Sequence, residues 1–222
     1  EGLVSLLNGT ADPSVGWLKS SDPDFGAPAN RYTYDPTKGK ALLAAAGYMA
    51  AKPLSFKAMI SNSGSGQMLP LPMNEFLQQN LKEACGVNVE FNVIEWQVLL
   101  TAARATPDSP NLQGAMVLNI SSPSSDAGVM ARYFSSANFS PNGFNFEQWK
   151  DDDFDDALKT ISEATDPKEI SAAYRRAHER IVDNPPWLFI VHDLNPRAMS
   201  PKIKGFVSPQ SWFVDLTLIS LQ

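Results

Sequence analysis

The sequence predicts an α/β protein with an open, mostly parallel sheet and helices on both faces. Three observations point there. Leu54 to Ile60 sets Leu54, Phe56, Ala58 and Ile60 against Ser55, Lys57 and Met59, and Val87 to Ile94 sets Val87, Val89, Phe91 and Val93 against Asn88, Glu90 and Asn92. That two-residue period is the mark of strands. Between the two runs, from about Pro72 to Ala84, Phe76, Leu77, Leu81 and Ala84 recur at helical spacing and Gly86 is the stop. A further helix, about Trp96 to Ala105, then leads to the short apolar run Ala115 to Leu118, so the order is β-α-β-α-β. Strands joined through helices in this way are parallel, with right-handed crossovers.

The remaining elements follow in chain order. The opening EGLVSLLNG reads as the tail of a helix ending at Gly9, which makes the chain a piece of something longer. Ala11 to Asn30 is rich in Pro, Gly, Ser and Asp and reads as an irregular surface crossing anchored by Trp17 and Phe25. Tyr34 to Tyr48, YDPTKGKALLAAAGY, specifies a short amphipathic helix. Asp35 is the N-cap, Pro36 occupies the first helical position, Leu42, Leu43 and Ala46 form an apolar stripe, and Gly47 ends it. Pro70 and Pro72 fit only at the beginning of the next helix.

After the third strand, Asn119 to Ala127 (NISSPSSDA) is a polar loop, with a short helix expected from about Val129 to Ser135. The acidic run Asp151 to Asp156 lacks the glycine and spaced glutamate of a calcium loop. It reads instead as a helix N-terminus, where carboxylates meet free N–H groups. Asp166, Pro167 and Glu169 open another helix as a capping box, with Ile170, Ala173, Tyr174, Ala177 and Ile181 on its buried face. Pro185 and Pro186 end it, and Trp187 to Val191 reads as a continuous apolar strand. The stretch from Asn195 to Gln222 is punctuated by prolines and closes with the apolar Trp212 to Leu221, which should pack against something.

Composition narrows the function. At 222 residues, with 43% hydrophobic and 19% charged residues, the chain has enough material for one domain with a real core. A formal net charge of −6 with scattered Lys and Arg argues against nucleic acid, which needs a basic patch. No apolar run approaches the ~20 residues of a membrane span. The single cysteine, Cys85, excludes a disulfide framework and a cysteine zinc site, and reads as a small buried hydrophobe.

Only two histidines are present. His178 sits on a helix near Arg175 and Glu179, where surface or packing use is expected. His192 ends an apolar strand beside Asp193, either as a site residue or satisfied by backbone. Asn62-Ser63-Gly64-Ser65-Gly66 lacks the first glycine of a nucleophile elbow and is followed by no Gly-Lys-Ser/Thr of a phosphate loop. No metal-ligand spacing occurs, and no cofactor is called for. What remains is a crevice that holds a small molecule without transforming it. Open α/β sheets place such sites beyond the carboxyl ends of their strands, which selects Ser61 to Gly66 and Asn119 to Asp126 as walls. A hydrolase domain, or a module whose apolar tail docks a partner, is the alternative.

The phrase Tyr34-Asp35-Pro36-x-x-Gly39-Lys40-x-Leu42-Leu43-x-x-Ala46-Gly47-Tyr48 resembles one found in the extracellular solute-binding proteins, family 5, the dipeptide-, oligopeptide- and nickel-binding components of ABC importers. Further phrases match in the same order. They are Lys52-Pro53-Leu54 with Ser61-Asn62-Ser63, Gly86-Val87-Asn88-Val89, Glu95-Trp96, Trp149 to Asp156, Pro185 to His192, and Ala198 to Phe206.

The resemblance implies one lobe, residues 1–222, of a two-lobed, hinged periplasmic-binding-protein-like fold, with about 195–222 returning toward an amino-side lobe. It implies a binder rather than an enzyme, with no catalytic residue, working outside the cytoplasmic membrane in the periplasm or extracellular space, free or membrane-anchored. Its partners would be a peptide or other small solute and an ABC permease. Carried over by residue, Trp96 would line the pocket, and Arg104 falls near a basic position after it. Ser61, Asn62, Asn119, Ile120, Ser121, Ser122 and Asp126 complete the expected ligand-binding set. The sequence departs from the family's Gly-Trp-x-x-Asp loop: Asn119 stands for the Trp and Ser122 for the Asp that pairs with a peptide amino terminus. Losing that carboxylate removes a charge-assisted bond of ~1.5–3 kcal/mol. The expected ligand is therefore something other than an ordinary free-amine peptide, unless Asp126 or the other lobe takes over the amine.

Overall fold

The computed structural model describes residues 2–30, 32–106, 108–209 and 211–222, so Glu1 of the expected first helix lies outside the described residues. In chain order the elements are α1 (Gly2–Leu6), β1 (Ala11–Pro13), α2 (Pro36–Ala45), β2 (Ser55–Ser61), α3 (Pro70–Cys85), β3 (Asn88–Ile94), α4 (Trp96–Ala103), β4 (Ala115–Leu118), α5 (Ala127–Phe134), α6 (Asp152–Glu163), α7 (Pro167–Asp183), β5 (Val191–Asp193), β6 (Ile203–Lys204) and β7 (Ser220–Leu221).

The β-α-β-α-β alternation forms a three-stranded sheet in the order β3-β2-β4, parallel throughout. The step from β2 to β3 runs one way along the sheet and the step from β3 to β4 runs back across β2. Right-handed crossovers therefore put α3 and α4 on opposite faces. Burial agrees: Met59 and Ile60, which point to opposite faces of β2, are both fully buried, and Leu99 of α4 packs with Met59.

A second core is rich in aromatic rings. Trp17, Phe25, Tyr133, Phe134 and Phe154 cluster with Met130, Ala177 and Ile181, and Trp149, Trp187 and Phe189 pack against them. Phe134 meets Trp187 at 4.8 Å and 73°, and Trp17 at 5.4 Å and 84°, the edge-to-face contacts that ring quadrupoles favour. Asp151 caps α6 through the Phe154 N–H (3.0 Å) and takes a two-nitrogen grip from Arg180, whose Nη2 lies 2.6 Å from Oδ2.

Four expectations are corrected. The strand expected over Trp187 to Val191 is shifted: β5 is Val191–Asp193, pairing antiparallel with β1, while Trp187 and Phe189 turn into the aromatic core. The expected irregular crossing accordingly begins with a strand, β1. In α2 both ends form as the sequence specifies, with Asp35 Oδ1 accepting from the Lys38 N–H (2.9 Å) and Gly47 at φ +87°. Its apolar stripe, however, is only partly covered: no α2 residue is buried, Leu42 is 62% exposed and Leu43 is half-buried. Capping is decided within one turn of chain, whereas covering a stripe needs a partner element. The closing segment behaves alike. β6 and β7 pair, while Phe213, Leu216, Leu218 and Leu221 stay exposed.

Candidate functional site

Beyond the carboxyl ends of β2 and β4 lies a crevice of about 680 Å³. One wall is made by the loops that leave these two neighbouring strands. Asn119 continues the parallel pairing, donating its N–H to Met59 O (3.0 Å). Its side chain is a brace: Oδ1 accepts from Gln67 Nε2, while Nδ2 donates to Asn74 Oδ1 (2.8 Å). Asn74, buried in the first turns of α3, passes the chain on to Pro70 O (2.7 Å). Ser121 Oγ donates to Ser65 O, and Ser122 Oγ to Ser124 O (2.7 Å). The Ser121 and Ser122 hydroxyl hydrogens are thus committed within the protein, and these two oxygens offer a ligand lone pairs.

The facing wall belongs to the aromatic core. Trp17 and Trp187 line it, with Trp17 Nε1 donating to Ser125 O (2.9 Å) and so tying the two walls together. Leu18 is fixed by both histidines. The Leu18 N–H donates to His178 Nε2 (3.1 Å), and His178 Nδ1 donates to Phe25 O (2.8 Å). His178 must be neutral to accept, and burial pushes its pKa down accordingly. His192, on the crevice wall, faces Ser14 Oγ at 3.0 Å and Leu18 O at 3.2 Å through Nε2. Ser14 gives its own hydrogen to Gly16 O (2.7 Å), so His192 Nε2 carries the proton and is the donor. Its pKa is also lowered, mainly by burial. A histidine that donates to a serine cannot deprotonate it, and this pair is no nucleophile–base couple.

Of the residues expected to bind, Asn119, Ile120, Ser121 and Ser122 line the crevice. The others are elsewhere. Ser61 is buried at the end of β2, donating to Ser63 O (2.6 Å), and Asn62 is exposed beside it. Trp96 lies half-buried under the same loop, its Cβ 2.9 Å from where a Cβ on Gly64 would stand, and packs with the Met59–Leu99 cluster. Asp126 caps α5 by accepting from the Val129 N–H (2.9 Å) and from Ser124 Oγ (2.6 Å). The Ser124 bond chiefly holds its carboxyl below the usual range. Arg104 is exposed, with its guanidinium 4.4 Å from the centre of the Phe144 ring, which also receives Arg132 at 3.8 Å. Sequence reasoning did not single out Ser14, Trp17, Trp187 or Trp212 as crevice residues. For the three tryptophans the only signal was a large ring in a segment too short or irregular to be covered by its own element.

Among the described residues no group of three or more His, Cys, Asp and Glu could hold a metal ion, and no helix is long and apolar enough to cross a membrane.

The profile of the bacterial extracellular solute-binding proteins, family 5 Middle, matches residues 2–141. The chain belongs to that family. Family 5 relatives include Di/tripeptide-binding protein 2 of Pseudomonas aeruginosa, 24% identical over 210 residues, covering 94% of this chain and 38% of that protein. The Glutathione-binding protein GsiB of Pectobacterium atrosepticum is 26% identical over 218 residues, covering 93% of this chain and 39% of that protein. Among solved structures, a dipeptide binding protein from a Pseudoalteromonas species in complex with Met-Leu superposes with a TM-score of 0.74 at 20% identity, covering 97% of this chain and 41% of its own. NikA from Staphylococcus aureus in complex with Ni(L-His)2 gives 0.71 at 16% identity, covering 100% and 45%. The fold is therefore that of the family 5 binding proteins, and the chain spans about two fifths of the length of the curated relatives it matches.

Proposed function

We propose that this chain is the carboxyl-side lobe, residues 1–222, of the solute-binding component of an ABC importer. In this reading it acts outside the cytoplasmic membrane, binds a peptide-like small solute without chemical change, and passes it to a membrane permease. The observation that carries the reading is the crevice at the ends of β2 and β4, with a hydrogen-bonded serine and asparagine wall facing an aromatic one. Relatives with peptide- and glutathione-binding names support the solute class. An amino-side lobe would close over the opening, and residues 195–222 would lead back to it. Asn119, Ile120, Ser121 and Ser122 are the residues of this lobe assigned to the ligand.

Ser122 sets the expected preference. A serine that accepts but carries no charge gives an ammonium group little, so an N-blocked or otherwise modified peptide binds better than a free-amine one. The test is a thermal-shift screen on the complete natural polypeptide with free-amine and N-acetyl di- and tripeptides, glutathione and nickel-histidine. Binding to the folded state alone raises the melting point. Stabilisation by a peptide-like solute is expected. No shift with any of them, together with a shift by a sugar, would overturn the peptide reading. Ser122→Asp should strengthen free-amine peptides about ten- to a hundredfold, the equivalent of one charge-assisted bond.

A further inference from the structure

On the reading that the crevice takes a solute, we propose that Trp212 is its size-determining residue, a ring whose place is set by the absence of a side chain at Gly66. Both residues line the crevice. A methyl group on Gly66 would overlap Cη2 and Cζ2 of Trp212 and stand 3.0 Å from Cζ3, so the indole lies directly on the glycine backbone. Gly66 has φ +82°, a conformation that itself favours glycine. The Trp212 backbone is anchored as well. The Trp212 N–H donates to Pro123 O (3.1 Å), and Arg197 Nη2 donates to the carbonyls of Ser211 and Trp212 (3.3 Å each).

These contacts join three segments far apart in sequence: the loop after β2, the loop after β4, and the closing stretch. The indole cannot retreat toward Gly66, because backbone already fills that side. The main chain that carries it is fixed by the Pro123 and Arg197 bonds. Ring and backbone thus form a stop against which a ligand's bulk is measured. A pocket edged by one rigid ring discriminates by volume, since extra ligand atoms must displace it.

The experiment measures dissociation constants of di-, tri- and tetra-alanine, each as free amine and N-acetyl form, for the complete natural polypeptide and its Trp212→Ala, Trp212→Phe and Gly66→Ala variants. Melting curves establish that each variant is folded. The expected result is that Trp212→Ala shifts the ratio of tetra- to di-alanine affinity at least tenfold toward the longer peptide. Gly66→Ala, whose methyl pushes the ring away from residue 66 and into the crevice, should shift the ratio the opposite way, toward the shorter peptide, while Trp212→Phe keeps it within threefold of wild type. Binding gained only by the Trp212→Ala protein supports the stop equally. An unchanged ratio in folded, peptide-binding Trp212→Ala would overturn the inference and leave the proposed function standing. No binding by wild type or any variant would overturn both.

Discussion

The two walls of the crevice are held by different forces. The loop wall is a relay of side-chain amides, Gln67 to Asn119 to Asn74 to Pro70 O, laid across the ends of two parallel strands. The opposite wall is a mass of rings, with Phe134 fully buried among Trp17, Trp149, Phe154 and Trp187. Directional bonds fix the loop wall atom by atom but yield modest net stability, because water offered the same bonds to the unfolded chain. Ring burial is stronger and less directional. The difference assigns the work: the aromatic side keeps the chain folded, and, on the proposed function, the amide side would set where a ligand's polar atoms go.

The sharpest way to break this contrast is Phe134→Ala, which should cost about 3–5 kcal/mol in urea unfolding as a cavity opens in the ring cluster. A loss below about 1 kcal/mol would show that the aromatic side is not the principal core. Asn119→Ala should cost less, about 1–3 kcal/mol, the penalty for leaving the Gln67 and Asn74 amides without a partner. Combined with Asn74→Ala, the loss should fall short of the sum, because both act on one relay.

A subtler effect follows from His178. Its folded pKa is depressed, so the folded state holds the neutral ring while the unfolded state takes up a proton more readily. Its share of stability is complete above about pH 6.5 and is lost as pH falls through the depressed folded value. Between pH 7 and 5 His178 should therefore lower the urea midpoint, so His178→Gln should lose less over that range than the wild type, while Glu147, whose carboxyl burial pushes up to about 7, acts in the opposite sense in both proteins. The smallest effect is expected at Arg104→Ala: about 0.5–1 kcal/mol from the lost stacking on Phe144, with peptide affinity of the complete polypeptide unchanged. A tenfold loss of affinity there would move Arg104 into the binding wall.

What could be read from the chain alone was whatever is decided locally. The period-two runs, the Pro70 and Pro72 start of α3, and the Asp35, Asp151 and Asp166 caps all depend on a few neighbouring residues, and all are present. The rule that ligands sit beyond parallel strand ends selected Ser61 to Gly66 and Asn119 to Asp126, of which Gly66 and residues 119–125 line the crevice and residues 61–65 and Asp126 do not. Illegible were features made by distant partners. Nothing near Leu42 says that its stripe is only partly covered, and nothing near Trp187 says that its ring leaves the strand for a cluster. Nor does the spacing of His178 and His192 reveal that both fasten Leu18. Trp96 and Arg104 went the same way, since helix position fixes their neighbours but not which side of a loop they meet.

One feature of the closing segment bears on handling. Phe213, Leu216, Leu218 and Leu221 present their side chains to water along one short stretch. Sulfate and other excluded salts tighten apolar contact, so these 222 residues prepared by themselves should stick to hydrophobic chromatography media and turn cloudy at lower ammonium sulfate than a preparation in which those four positions are serine.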